Sequence, residues 1–273
     1  MENTIRYVFD QGRHDEHERL AAMERLWDPG TRAVIDALGI QPGWHCLEIG
    51  AGRGSIARWL AETVGPEGEV LATDISTLHL DGLAAPNLEV RRHDILSDPL
   101  PSAHFDLVHA RLVMEHLGRR SLERAVAAVR PGGWLVLEDH DWGGALTHPH
   151  DEQMRQVFDA VARFMSRAGY DAAYGRRLVH ELERAGLDDV AADGRVRVYR
   201  GASPATTFLR LSLESMAASL IASDELAYED LSWALATLDD PDSVFLTPMI
   251  AAWAASPNAE VGIVLPGAAE RNL

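Results

Sequence analysis

The run Leu47-Glu48-Ile49-Gly50-Ala51-Gly52-Arg53-Gly54 sets three glycines at alternate positions behind a short apolar stretch, and Asp74 follows twenty residues past Gly54. Glycine lets a backbone turn sharply and approach a ligand closely, and a helix starting behind such a turn offers unpaired N–H groups. An acidic residue ending the next strand stands where it can accept from both hydroxyls of a ribose. Together these features point to a ligand containing a nucleoside. A dinucleotide fits less well, because Ser55 occupies the place of the third glycine in G-x-G-x-x-G. Glu48, beside the loop, would repel a pyrophosphate and attract a cationic amino-acid group or a sulfonium.

Histidine supplies the other candidate chemistry. His116, in Leu112-Val113-Met114-Glu115-His116-Leu117, and His140, in His140-Asp141-Trp142, follow two expected strands at the edge of a sheet where ligands bind. Either could take a proton from a hydroxyl, unless it serves only in packing or a structural network. The proline in His148-Pro149-His150-Asp151 breaks any regular ligand spacing, and His14-Asp15-Glu16-His17 reads as the polar face of a helix. No metal site is expected. The single cysteine, Cys46, excludes an intramolecular disulfide and falls on a strand position expected to be packed and inert.

Alternating patterns set the elements that must hold these residues. Leu20, Met23 and Leu26–Trp27 mark an N-terminal helix, Asp28-Pro29-Gly30 reads as a break, and Thr31 to Leu38 resumes the helix. Strands are expected at 44–49, 69–73, 88–92, 105–109 and 134–138, with helical stretches between them, including 55–63 and 121–129. This alternation predicts a parallel sheet covered on both faces. Beyond residue 150 the chain reads as helices at 151–167, 176–184, 204–222 and 224–238. A strand is expected at 194–199, and 243–253 is readable as strand or helix. The chain has 273 residues, 47% hydrophobic and 25% charged, with no linker and no repeat, so one domain is expected.

Charge excludes further classes. Forty-two acidic residues against 25 basic ones give −17, and every basic residue is arginine. Such a surface repels phosphate backbones, so nucleic acid is not an expected partner. The absence of lysine removes Schiff-base chemistry and the lysine-bearing phosphate loop. No apolar run approaches the roughly 18–20 residues of a membrane span, and the polar N-terminus does not read as a signal peptide. A cytoplasmic protein without membrane contact is expected.

Further matching stretches follow the glycine loop in order: Ala72-Thr73-Asp74, His93-Asp94-Ile95, Phe105-Asp106-Leu107-Val108, and Val129-Arg130-Pro131-Gly132-Gly133-Trp134-Leu135. Over about 100 residues, from Trp44 to Asp141, the chain resembles the class I S-adenosylmethionine-dependent methyltransferases. The resemblance implies an α/β fold: a doubly wound, mostly parallel seven-stranded sheet of the Rossmann-like methyltransferase type, its last strand antiparallel, with helical lid segments. It implies S-adenosyl-L-methionine as cofactor. Gly50, Gly52 and Gly54 would cradle the methionine part with Glu48 beside them, and Asp74 would bind the ribose. Asp94 would accept from the adenine amino group, Ile75 and Ile95 would sandwich the ring, and Ala110 and Arg111 would line the site. His116 falls where some small-molecule members have a proposed base.

The whole chain, 1–273, would be one methyltransferase domain with a helical cap at 1–35 and a cofactor-binding core at 36–142. Substrate-covering helices would lie at 143–173 and 203–240. Cap and covering segments have no expected role in the cofactor site. Phe164, Met165, Phe208, Leu209, Leu211, Met216, Leu220 and Ile221 supply apolar surface for a roof. The expected reaction is methyl transfer to oxygen or nitrogen of a small, partly hydrophobic molecule, in a setting such as specialised metabolism. The alternatives are a cofactor-bound cyclase or isomerase that transfers no methyl, and a protein methyltransferase. A homodimer is left open.

Overall fold

The computed structural model describes residues 12–80 and 82–257; the first eleven residues of the expected cap and the last sixteen of the expected domain lie outside it. Helix α1 (Glu16–Ala37) leads into strand β1 (His45–Ile49), helix α2 (Ser55–Val64) and strands β2 (Glu69–Asp74), β3 (Leu88–Arg92) and β4 (Phe105–Arg111). Short α3 (Met114–Leu117) and α4 (Arg119–Ala128) precede β5 (Val129–His140) and the three-residue β6 (Leu146–His148). The remainder comprises α5 (Asp151–Ser166), α6 (Leu178–Arg184), β7 (Asp188–Arg200), α7 (Thr207–Ala222), α8 (Tyr228–Leu238) and β8 (Val244–Ala255).

The sheet runs β3-β2-β1-β4-β5-β8, with β1 to β5 parallel and β8 antiparallel to β5. Strand β7 lies along the other side of β8, and β6 pairs with Leu246 to Val244, where it extends the β5 edge. The expected doubly wound sheet is therefore present, with β6 as an eighth, very short strand. The stretch left open as strand or helix is β8: its alanines at 251, 252, 254 and 255 are fully buried between two neighbouring strands, where small side chains fit.

Strand alternation divides the core. Leu47, Val108, Leu135 and Leu137 face α4 and α6, whereas Cys46, Leu107 and Val136 face α1 and α2. A third apolar cluster joins α1, α5, α7 and α8 above the carboxyl edge of the sheet. Cys46 is fully buried, as its strand position predicts.

One local expectation changes. The Asp28-Pro29-Gly30 stretch does not interrupt the first helix, which is continuous for 22 residues. Proline in a helix interior loses one backbone hydrogen bond. Here packing overrides it, because Trp27, Thr31 and Ile35 are all buried on the sheet side. Gly30 has its own reason: a Cβ there would collide with the guanidinium of Arg195 from β7.

Candidate active site

One continuous cavity follows the carboxyl edge of the sheet, where strand order reverses and ligands bind in folds of this kind. Its nucleoside end is built by the loop after β1. Gly50 and Gly52 line it with φ of 71° and 59°, a conformation glycine adopts without Cβ strain. A Cβ on Gly50 would run into Val113. Gly54, with φ 79°, does not line the cavity; its missing Cβ makes room for Leu80 and Leu83 at the start of α2.

Asp74 closes this end. Its carboxylate accepts from the N–H groups of Gly52 at 2.9 Å and Ser76 at 3.0 Å, so it ties β2 to the glycine loop. Burial pushes its pKa up against those two bonds. Hydroxyl donors arriving at its remaining lone pairs would stabilise the charged form. Ile75, half exposed, and buried Ile95 both line the cavity, as does Asp94, whose Oδ1 accepts from Leu96 N–H at 2.8 Å. His93 also lines it, buried, and neither ring nitrogen has a hydrogen-bond partner. Positive-φ glycines, an acid at the ribose position and apolar side chains beyond it fit an S-adenosyl nucleoside.

Glu48, expected beside the methionine part, lies elsewhere. The parallel register of β1 and β4 places it opposite His109, and its Oε2 stands 2.6 Å from His109 Nδ1. The second imidazole nitrogen is 3.6 Å from Glu138 Oε2. Burial by itself would lower the His109 pKa, but the two carboxylates overcome it and hold it up at about 9. Burial opposes ionisation of Glu138 too, yet His109, Arg195 and Arg111 hold its pKa down to about 2. Thr31 and Arg195 bond the Glu138 carboxylate from either side. Glu48 is thus part of a buried ionic network beneath the cavity, not of its wall.

Arg111 belongs to both. It lines the cavity, yet its guanidinium donates to Thr31 Oγ1 and Asp28 Oδ1 of α1, each at 2.8 Å. Ala110 is buried between Ile49 and Leu137 and does not reach the cavity. Next to it, Leu112 takes φ 57°, uncommon for a branched side chain, and its N–H donates to Glu138 O at 2.7 Å. This turn carries the chain from β4 into the cavity wall.

Helix α1 also departs from expectation. Leu20 and Met23 line the cavity beside the glycine loop, and Glu24 pairs with Arg53 at 2.7 Å. The cap therefore takes part in the cofactor end, because the network through Arg111 fixes it there. Of the expected roof residues, Met165, Phe208, Leu209 and Met216 line the cavity; Phe164, Leu211, Leu220 and Ile221 do not.

At the far end His116 and His140 come together around Glu115. Glu115 Oε1 lies 3.7 Å from His116 Nε2 and 4.0 Å from His140 Nδ1, and its Oε2 accepts the backbone N–H of His140 at 3.1 Å. Burial, then the nearby Asp139, pushes the Glu115 pKa well up. Burial lowers both histidines to about 3, helped by Arg19 for His116 and by Arg111 for His140. Both rings line the cavity, and His140 Nε2 has no hydrogen-bond partner. Glu115 and Arg19 were not among the expected site residues; no periodicity distinguishes a cavity-facing acid from a surface one.

Fold and site define an α/β protein with a cavity at the switch point of its sheet whose lining suits a nucleoside-containing ligand, continuous with a second chamber beside it. Residues 46–133 match a family model described as a methyltransferase domain. Methyltransferase str2 of Strobilurus tenacellus is 36% identical over 141 residues, half of each chain. The ubiquinone/menaquinone biosynthesis C-methyltransferase UbiE of Ectopseudomonas mendocina is 28% identical over 158 residues, 54% of this chain and 58% of that one. The structure of phosphoethanolamine N-methyltransferase 2 from Haemonchus contortus shares the fold, with a TM-score of 0.59 at 15% identity over 93% of this chain and 60% of that chain. Residues 46–133 thus carry a methyltransferase domain, on a fold shared with solved methyltransferases. The chain spans about half the length of the first curated relatives it matches. Among the described residues no helix is long and apolar enough to cross a membrane, and no cluster of metal ligands occurs.

Proposed function

We infer that the protein transfers a methyl group from S-adenosylmethionine to oxygen or nitrogen of a small, partly apolar molecule. The observation that carries this reading is the continuity of one cavity from Gly50, Gly52 and Asp74 to the chamber under α5 and α7. When bound, the cofactor supplies a methyl group already activated on a sulfonium. The backbone at Gly50 and Gly52 would hold its amino-acid part, Asp74 the ribose hydroxyls, and Asp94 with Ile75 and Ile95 the adenine.

The remaining task of the chain is alignment at roughly 3 Å. Held by Gly50, Gly52 and Asp74, the cofactor would supply the methyl group and leave as a neutral thioether, and the proton of a hydroxyl acceptor placed beside it would be released to water. His116 and His140 face this place as neutral imidazoles, able to accept a hydrogen bond from the hydroxyl. Their low pKa values make them weak stores for its proton, so alignment carries more of the rate than proton removal. The relative named as a C-methyltransferase makes carbon the second reading for the accepting atom.

Incubating the protein with labelled cofactor and a panel of small acceptors tests the assignment. The expected result is one methylated product for each S-adenosylhomocysteine released. Binding of the cofactor together with conversion of an acceptor that gains no methyl would replace it with the cyclase or isomerase reading. Methylation confined to polypeptides would replace it with the protein-directed one.

A further inference from the structure

The polar groups of the acceptor chamber are few, and its arginines are already bonded inside the protein. Arg19 reaches it from α1, but both oxygens of the buried Glu16 hold its guanidinium, each at 2.7 Å, and Ser212 Oγ lies at 3.5 Å. Arg111 is bonded to Asp28 and Thr31. Glu115 accepts the backbone N–H of His140 and has Asp139 as neighbour, so a second negative charge there is opposed. Apart from His116, Trp142, Tyr170 and Ser212 the rest of the wall is apolar, with Met154, Met165, Met216, Phe158, Phe208 and Leu213 prominent.

One polar atom stands out against this background. His140 Nε2 is buried in a residue 1% exposed, has no hydrogen-bond partner, and belongs to a ring lining the chamber. Buried polar atoms are almost always paired, so a lone one in a ligand cavity marks where a ligand group bonds.

Resting on the methyltransferase reading, we propose that the acceptor is an uncharged, mainly apolar phenol or alcohol whose hydroxyl bonds to His140 Nε2. A carboxylate or phosphate entering the chamber would leave water for a site whose arginines are already committed to Glu16 and Asp28. An ammonium would meet only Glu115, whose ionisation is opposed by its burial and by neighbouring Asp139. Desolvating an ion without such a partner is far costlier than desolvating a hydroxyl that gains one. The bond to His140 involves binding whether the methyl group goes to that oxygen or to a carbon of the same molecule.

The test uses the protein saturated with S-adenosylhomocysteine at pH 7 and four probes of one shape: 2-naphthol, naphthalene, 2-naphthoate and 2-naphthylmethylammonium. Calorimetry should show 2-naphthol binding roughly five- to tenfold tighter than naphthalene, the gain of one buried hydrogen bond. The two ions should bind at least about a hundredfold more weakly than 2-naphthol. His140→Ala should erase the preference for naphthol over naphthalene, while His140→Gln, which keeps a hydrogen-bonding group, should retain part of it. Equal or tighter binding of either ion, no binding of 2-naphthol, or an unchanged preference in folded His140→Ala would overturn the proposal. Failure of S-adenosylhomocysteine to bind in the first titration would instead reject the methyltransferase reading.

Discussion

Replacing His109 by glutamine should change how stability depends on pH, and the structure fixes the direction. In the fold His109 sits between Glu48 and Glu138, and its pKa rises from an ordinary 6.5 to about 9. A group with a folded pKa above its unfolded one contributes fully below about pH 6.5, loses that contribution as pH rises through 9, and contributes nothing above. The displacement corresponds to about 3 kcal/mol. Urea unfolding of wild type and His109→Gln between pH 6 and pH 10 measures it. Wild type should exceed the variant by about 3 kcal/mol near pH 6, because glutamine takes the cation from buried Glu48 and leaves Glu138 only its arginines. The difference should shrink to near zero by pH 10. Taking the difference cancels other groups titrating in the same range, such as Cys46, whose pKa burial pushes up. Parallel pH profiles, with a constant gap from pH 6 to pH 10, would refute the ionic network as described.

Asp74→Ala should weaken S-adenosylhomocysteine binding by about 1–3 kcal/mol in calorimetry, through loss of a charged acceptor for two hydroxyls; unchanged affinity would leave Asp74 only its bonds to Gly52 and Ser76. Gly50→Ala and Gly54→Ala should separate two uses of glycine. Each costs roughly 1–2 kcal/mol for its left-handed backbone, seen as lower Tm, but only Gly50→Ala should also weaken cofactor binding, since Gly54 abuts Leu80 and Leu83 and not the cavity. The pH–rate profile of methyl transfer should lack an inflection between pH 6 and 7, because burial moves His116 and His140 to about 3. A limb in that range that disappears in His116→Ala or His140→Ala would show that ligand binding raises their pKa values and restores the general-base role read from the sequence.

Much of the scaffold was legible from residue types alone. Alternation of short apolar runs with helical stretches gave the order of β1 to β5, because each pattern depends only on local periodicity. The alternate glycines and Asp74 marked the nucleoside end, since positive φ and an acid at a strand terminus are local requirements. Pairing across the sheet decided the rest. Register set Glu48 against His109, so a carboxylate that its neighbours suggested was a ligand became part of the core. The ion pairs of Arg111 and Arg195, and the room left by Gly30, carried α1 through Pro29 and set Leu20 and Met23 against the glycine loop. Burial from α1, α5 and α7 turned two ordinary histidines into neutral groups and drew Glu115 between them. Charge state and orientation depend on neighbours distant in the chain. Only the tertiary structure could decide them.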